Sequence, residues 1–184
     1  RNQMQANDVE KNLIDRVAMG DMFRRRAASA AQSTALVEYR NGQRLHLSYL
    51  QLNQSLNQVA NSLYSLGVKA GDRVALAGFN SLTEKFDAIK DALTSVEHWV
   101  AMDVTGCEVA SHYLDFQTLI KQSLNDEITG LRINDRDPLQ ILYTSGTTSK
   151  PKGVETSHLA LFINTLAAAV ELGVKPKMAG ASVM

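Results

Sequence analysis

The sequence predicts an α/β fold of layered sheets and helices. Three observations carry that prediction. Short apolar runs of strand character alternate with helical periodicities along the chain. Asn41-Gly42 stands between two short apolar runs, and both residue types tolerate the positive φ of a tight hairpin turn. The run "LQILYTS" leads directly into a loop rich in Gly, Ser, Thr and Lys, with a helical pattern soon after. Such loops lie at the carboxyl ends of strands, where α/β sheets bind ligands.

Taken in order, residues 1 to 18 are a polar lead-in, and the start at Arg1 rather than Met implies that the true start is lost. "GDMFRRRAASAA" (20–31) predicts a short helix. Its Arg24-Arg25-Arg26 run reads as a solvated basic face, with a phosphate patch as the less favoured alternative. The hairpin follows in "TALVEYRNGQRLHLS" (34–48). Tyr49 to Leu66 is the clearest helix: Leu52, Leu56, Val59, Ala60, Leu63 and Leu66 recur at three- and four-residue steps. Ser48 fits the N-cap with Gln51 at the capping-box position, and Gly67 fits a left-handed C-terminal residue.

"RVALAG" (73–78) predicts a buried strand, "TEKFDAIKDAL" (83–93) a helix, and "HWVAM" (98–102) a short strand. Residues 103 to 138 are weakly patterned apart from a helix at "DFQTLIKQSL" (115–124). After "LQILYTS" (139–145), a last helix runs from His158 to Leu172, capped by Ser157 and ended by Gly173. No internal repeat, low-complexity tract or linker is evident.

Composition narrows the function classes. With 184 residues, 45% of them apolar, the chain can bury a sizeable core. Its formal net charge of +0 gives no global field toward nucleic acid. No apolar run reaches the ~18 residues of a membrane span. Cys107 is the single cysteine, with no nearby base to activate it. His46, His98, His112 and His158 show no metal-ligand spacing. His158 follows the loop but reads as a structural first-turn residue, and Trp99 as a core or edge residue.

The chemistry concentrates in "YTSGTTSKPKGV", Tyr143 to Val154. Glycines free backbone N–H groups to curl around an anion. Hydroxyls add rotatable donors, and lysines add point charge against a polyphosphate. Thr144, Ser145, Gly146, Thr147, Thr148, Ser149, Lys150, Lys152 and Gly153 therefore form a candidate polyphosphate grip. A Walker A loop is excluded: Pro151 stands five positions after Gly146, where its second glycine is required.

In the order of its residues, this stretch resembles the phosphate-loop signature of the adenylate-forming (AMP-binding) enzymes: acyl-CoA synthetases, peptide-synthetase adenylation domains and luciferases. "LSYLQLNQSLNQVANSLYSLGVKAGDRVALAGFNS" resembles an earlier part of the same family. The likeness is greatest to an acyl-CoA synthetase of the long-chain fatty acid–CoA ligase type. It implies that residues 1–184 are an incomplete N-terminal (AMP-binding) domain, with the C-terminal domain absent and the fragment alone inactive. It also implies ATP, Mg²⁺ and coenzyme A as cofactors, a carboxylic acid as substrate, and a cytoplasmic location, with a place at the membrane periphery as the alternative. Neither nucleic acid nor a transmembrane segment is expected, and a homodimer is compatible. Within this resemblance Lys152 is the catalytic phosphate contact, ahead of Lys150, and Thr144 orders the metal. Ser149 replaces a usual glycine. The family's Gly-x-Thr-Glu motif, its ribose-gripping acid and its terminal lysine are not found in the sequence.

Alternative readings are an adenylation domain that loads a carrier protein and a truncated, non-catalytic nucleotide-binding module. The resemblance also predicts breaks in continuity. After Asn80-Ser81 the family continues with an apolar helix, a strand and a proline-containing stretch, all lacking here. A jump in Cα spacing is expected within 81–83, and another within 176–179.

Overall fold

The computed structural model describes residues 18–40, 42–75, 83–102, 109–131, 133–144 and 150–173. Both windows in which a jump in spacing is expected reach outside these residues. The chain divides into two units: Ala27–Gly130, and a discontinuous one formed by residues up to Arg26 and from Leu131 onward.

Helix α1, Met19–Ser29, matches the predicted helix within a residue or two at each end. Asp21 is buried in its first turn and accepts an ion pair from Arg24 Nη2 at 2.9 Å. The basic run is therefore not wholly a solvated face, because one of its arginines neutralises a buried carboxylate.

In Ala27–Gly130, β1 (Thr34–Arg40) and β2 (Gln43–Ser48) form the predicted antiparallel hairpin, with Arg40 opposite Gln43. Gly42 adopts φ 76°, as the turn requires. Helix α2, Tyr49–Ser65, begins with a complete capping box. Ser48 Oγ accepts from Gln51 N at 3.2 Å, and Gln51 Oε1 accepts from Ser48 N at 2.9 Å. Gly67 closes the helix at φ 85°.

Of the predicted apolar stripe of α2, Leu52, Val59, Leu63 and Leu66 are half-buried, while Leu56 and Ala60 are exposed. The one buried residue of the helix is Ser62. Its amide face grips the segment that follows a later helix, Phe116–Gln122. Asn61 Nδ2 donates to the carbonyls of Leu124 and Asp126, Asn57 Nδ2 to Asn125 O, and Gln58 Nε2 to Ile120 O. Three of these carbonyls belong to the segment just past the helix end, and Ile120 O also accepts from Ser123 N at 3.1 Å, so the amides of α2 fix the chain where it leaves that helix.

Helix α3 covers Thr83–Lys90, shorter than predicted. Strands β3 (Val100–Ala101) and β4 (Leu114–Asp115) make a parallel pair of two residues each. Helix α4, Phe116–Gln122, is capped by Asp115, whose carboxylate accepts from Gln117 N and Thr118 N. The strand predicted at 73–78 is not formed in its described part: residues 73–75 are non-strand and exposed, and the remainder lies outside the described residues. The apolar run that follows Arg73 suits a strand buried between neighbours, and no neighbour pairs with residues 73–75.

The other unit is built on β5 (Pro138–Thr144), β6 (Lys152–Ser157) and helix α5 (His158–Glu171). Strand β6 was not predicted. Gly153 and two charged residues within its six mask any apolar alternation. Helix α5 is capped by Ser157 Oγ, which accepts from Ala160 N at 3.2 Å, and Gly173 follows it at φ 63°.

Candidate functional site

The site candidate is the β5–β6 hairpin and the turn it carries. The strands are antiparallel, with Leu142 opposite Val154, Tyr143 opposite Gly153 and Thr144 opposite Lys152. The register shifts near Pro138, which has no N–H to give the ladder. Upstream, the chain is fixed by local polar bonds. Asp137 Oδ2 accepts from Asn134 N at 2.7 Å, and Asn134 Oδ1 accepts from Arg136 N at 3.0 Å. These are the side-chain turns that Asn and Asp favour.

The hairpin corrects the extent of the predicted loop. Thr144 ends β5, while Lys152 and Gly153 open β6, so all three are ladder residues. Thr144 and Lys152 face each other at the mouth of the turn, and both are exposed. Lys150 lies in a bend just before β6 and is also exposed. Ser145, Gly146, Thr147, Thr148 and Ser149 lie outside the described residues.

Gly153 has a packing reason to lack a side chain. A Cβ there would meet Ile141 Cγ2 at 3.1 Å and the Tyr143 ring at 3.4 Å. The Tyr143 ring thus lies against the glycine of the opposite strand. Among the described residues, no three His, Cys, Asp or Glu side chains could together hold a metal ion.

His158 has the predicted structural role. It is buried at the first position of α5, and its Nδ1 accepts from Met19 N at 3.1 Å. That bond fixes Nδ1 as an acceptor and ties α1 to the start of α5. The backbone N–H groups of His158 and Leu159 donate to the carbonyls of Asp137 and Asp135 at 3.3 and 2.8 Å.

A polar–aromatic cluster in Ala27–Gly130 was not anticipated. Asp87 Oδ1 accepts from Tyr113 Oη at 2.8 Å and from His112 Nε2 at 2.9 Å. These hydrogen bonds, that of His112 foremost, hold the Asp87 carboxyl below its ordinary value. Burial, aided by the bond to Asp87, pushes the Tyr113 phenol up to about 12. Trp99 packs edge-on to Tyr113, with ring centroids 6.3 Å apart, and Lys90 Nζ lies 5.2 Å from the Tyr113 centroid. Asp87 and His112 are 25 residues apart with no motif spacing, so no sequence signal marked the group. His98 donates from Nε2 to Leu66 O at 2.8 Å, closing the end of α2.

The AMP-binding enzyme family model matches residues 23–84 and 82–183 of the chain. The chain belongs to the AMP-binding enzyme family. It is 26% identical over 196 residues to a long-chain-fatty-acid–CoA ligase of Thermus thermophilus, covering 82% of this chain and 35% of that protein. It is 25% identical over 190 residues to a crotonobetaine/carnitine–CoA ligase of Escherichia coli, covering 78% of this chain and 35% of that one. The chain therefore spans about a third of the length of these curated relatives. The acetoacetyl-CoA synthetase from Streptomyces lividans shares its fold at TM-score 0.73 and 17% identity, over 86% of this chain and 33% of that one. Its AMP-binding character and its α/β fold agree with the resemblance carried by the phosphate-loop sequence. No helix among the described residues is long and apolar enough to cross a membrane.

Proposed function

We propose that the chain is part of an ATP-dependent, AMP-forming acid–thiol ligase that activates a fatty acid and passes it to coenzyme A. The observation that carries this reading is the β5–β6 hairpin of an AMP-binding family member, with Thr144 and Lys152 opposed at the mouth of its turn. The naming of both curated relatives as CoA ligases supports coenzyme A as the acceptor.

The chemical difficulty is charge: an anionic carboxylate must approach an anionic triphosphate. In the proposed first step a carboxylate oxygen bonds to the α-phosphorus and pyrophosphate departs. The thiol of coenzyme A then takes the acyl group and AMP leaves. Lys152 supplies a positive charge to the departing phosphates, where a charge-assisted hydrogen bond counts most. Lys150 is a second, more peripheral cation. The N–H groups and hydroxyls of Ser145, Gly146, Thr147, Thr148 and Ser149 cradle the β- and γ-phosphates. Gly153 lets the Tyr143 ring lie close against the opposite strand.

The donor set fits Mg²⁺ in one manner. Thr144 offers a single hydroxyl, which suits an ion that keeps its waters and is held mainly by phosphate oxygens. When bound, the ion neutralises charge on those phosphates.

The experiment is pyrophosphate exchange by the whole protein across carboxylic acids of increasing chain length, followed by a thioester assay. Exchange that needs a fatty acid, with coenzyme A-dependent release of AMP, supports the reading. Exchange without thioester formation on coenzyme A, but with loading of a phosphopantetheinyl carrier protein, moves the acceptor to the carrier. Absence of exchange with every acid, in a folded protein, overturns it.

A further inference from the structure

The parallel pair β3–β4 is too small to stand alone. Parallel strands ordinarily belong to wider sheets covered on both faces. Among the described residues this pair has no third strand. Val100 and Leu114 are more than a third exposed, and Val74, Ile89, Leu93 and Val96 of the same unit are exposed as well. Two strand edges and a set of apolar side chains are thus left without cover.

The lengths of the matches point to missing residues, and the junction of the two family matches points to a place for them. The family match comes in two pieces that meet at residues 82–84. The alignment with the Thermus ligase runs over 196 residues, yet 82% of a 184-residue chain is about 151. About 45 positions of that alignment therefore have no counterpart here. For the E. coli ligase, 190 aligned residues against 78% of the chain, about 144, leave about 46. A single missing segment at the meeting point accounts for both figures. Its length suffices for a helix of ~12 residues and two strands of ~6 with their connections.

We infer that the uncovered β3–β4 pair is the seat of a segment of about 45 residues which, in the functional protein, enters the chain between Ser81 and Lys85, where the two family matches meet. The occupant is a piece of this same domain, extending the sheet by strand pairing and covering Val100 and Leu114. The inference rests on family membership and is independent of the activity proposed above.

Trypsin decides the matter on protein isolated from its source. A contiguous chain is cut after Arg73 and Lys85 and yields VALAGFNSLTEK, residues 74–85. The expected result is that this peptide is missing while the flanking peptides Leu45–Lys69 and Asp91–Lys121 are recovered. The transcript between codons 73 and 85 should be longer by about 135 nucleotides, three for each of the ~45 residues. Recovery of VALAGFNSLTEK at the level of its neighbours, or a contiguous transcript, overturns the inference.

Discussion

Replacing Lys152 by Ala in the whole protein isolates one charge at the mouth of the hairpin. The side chain is exposed at the first position of β6. Neither the Asp21–Arg24 ion pair nor the Asp87–His112 contact involves it. Folding should therefore notice little, because exposed substitutions away from caps and buried networks usually fall within ~0.5 kcal/mol. At roughly 2–4 °C per kcal/mol for a domain of this size, the melting temperature should shift by less than ~2 °C. If Lys152 bonds a phosphate, the full loss appears in catalysis. A hydrogen bond to a charged group is worth ~1.5–3 kcal/mol, so about a ten- to hundred-fold fall in exchange rate or ATP affinity is expected. Lys152→Arg keeps the charge with a different geometry and should fall between the two. Pyrophosphate exchange titrated with ATP, alongside a thermal melt, reads both quantities. Wild-type exchange at every ATP concentration removes Lys152 from the site. A melt lowered by several degrees refutes the claim that its role is purely functional.

Other expectations follow from the same structure. Ser48→Ala breaks the capping box of α2 and should cost about 1 kcal/mol, with Ser48→Asp retaining most of it; chemical denaturation measures both. Gly153→Ala places a methyl 3.1 Å from Ile141 Cγ2, but Ile141 and Tyr143 are exposed enough to yield, so stability should change by less than ~1 kcal/mol. Exchange activity should nevertheless fall in that variant as the Tyr143 ring is displaced. The Tyr113 phenol is raised in the fold to about 12 from its usual 10.0, so its contribution is complete below pH 10 and is lost as pH rises toward 12. Tyr113→Phe should flatten that alkaline limb. Asp87 has the opposite sign: its carboxyl is lowered in the fold, so its contribution is present above the usual carboxylate value and disappears on acidification through the lowered one. Asp87→Asn should flatten the acid limb, as seen in pH-dependent melts.

What could be read from the sequence was governed by local physics. The Asn41-Gly42 hairpin, the Ser48–Gln51 capping box and the left-handed Gly67 each depend on a few adjacent residues, and each appears in the structure apart from Asn41, which is not described. Features that depend on distant partners were hidden. Strand β6 exists because β5 pairs with it, not because KGVETS favours a strand. The Asp87–His112–Tyr113 group joins residues from separate segments, and α2 adds amide bonds that its periodicity did not reveal. Residues 73–75 show the converse: the start of a segment with strand character stays unpaired without neighbours. At the site, residue order pointed to the phosphate turn, but the opposition of Thr144 and Lys152 required the register of the hairpin.

The bond between Met19 N and His158 has a consequence for how the chain emerges from the ribosome. Its partners are 139 residues apart, and the unit they join is split by all of Ala27–Gly130. Translation at ~5–20 residues per second puts at least about 7–28 s between them, and about a third longer with the inferred segment in place. During that interval Ala27–Gly130 can fold while α1 waits with its carboxylate Asp21 already made. Slowing translation before codon 158 should lengthen the lifetime of this nascent state, and with it the time for which chaperones can capture it.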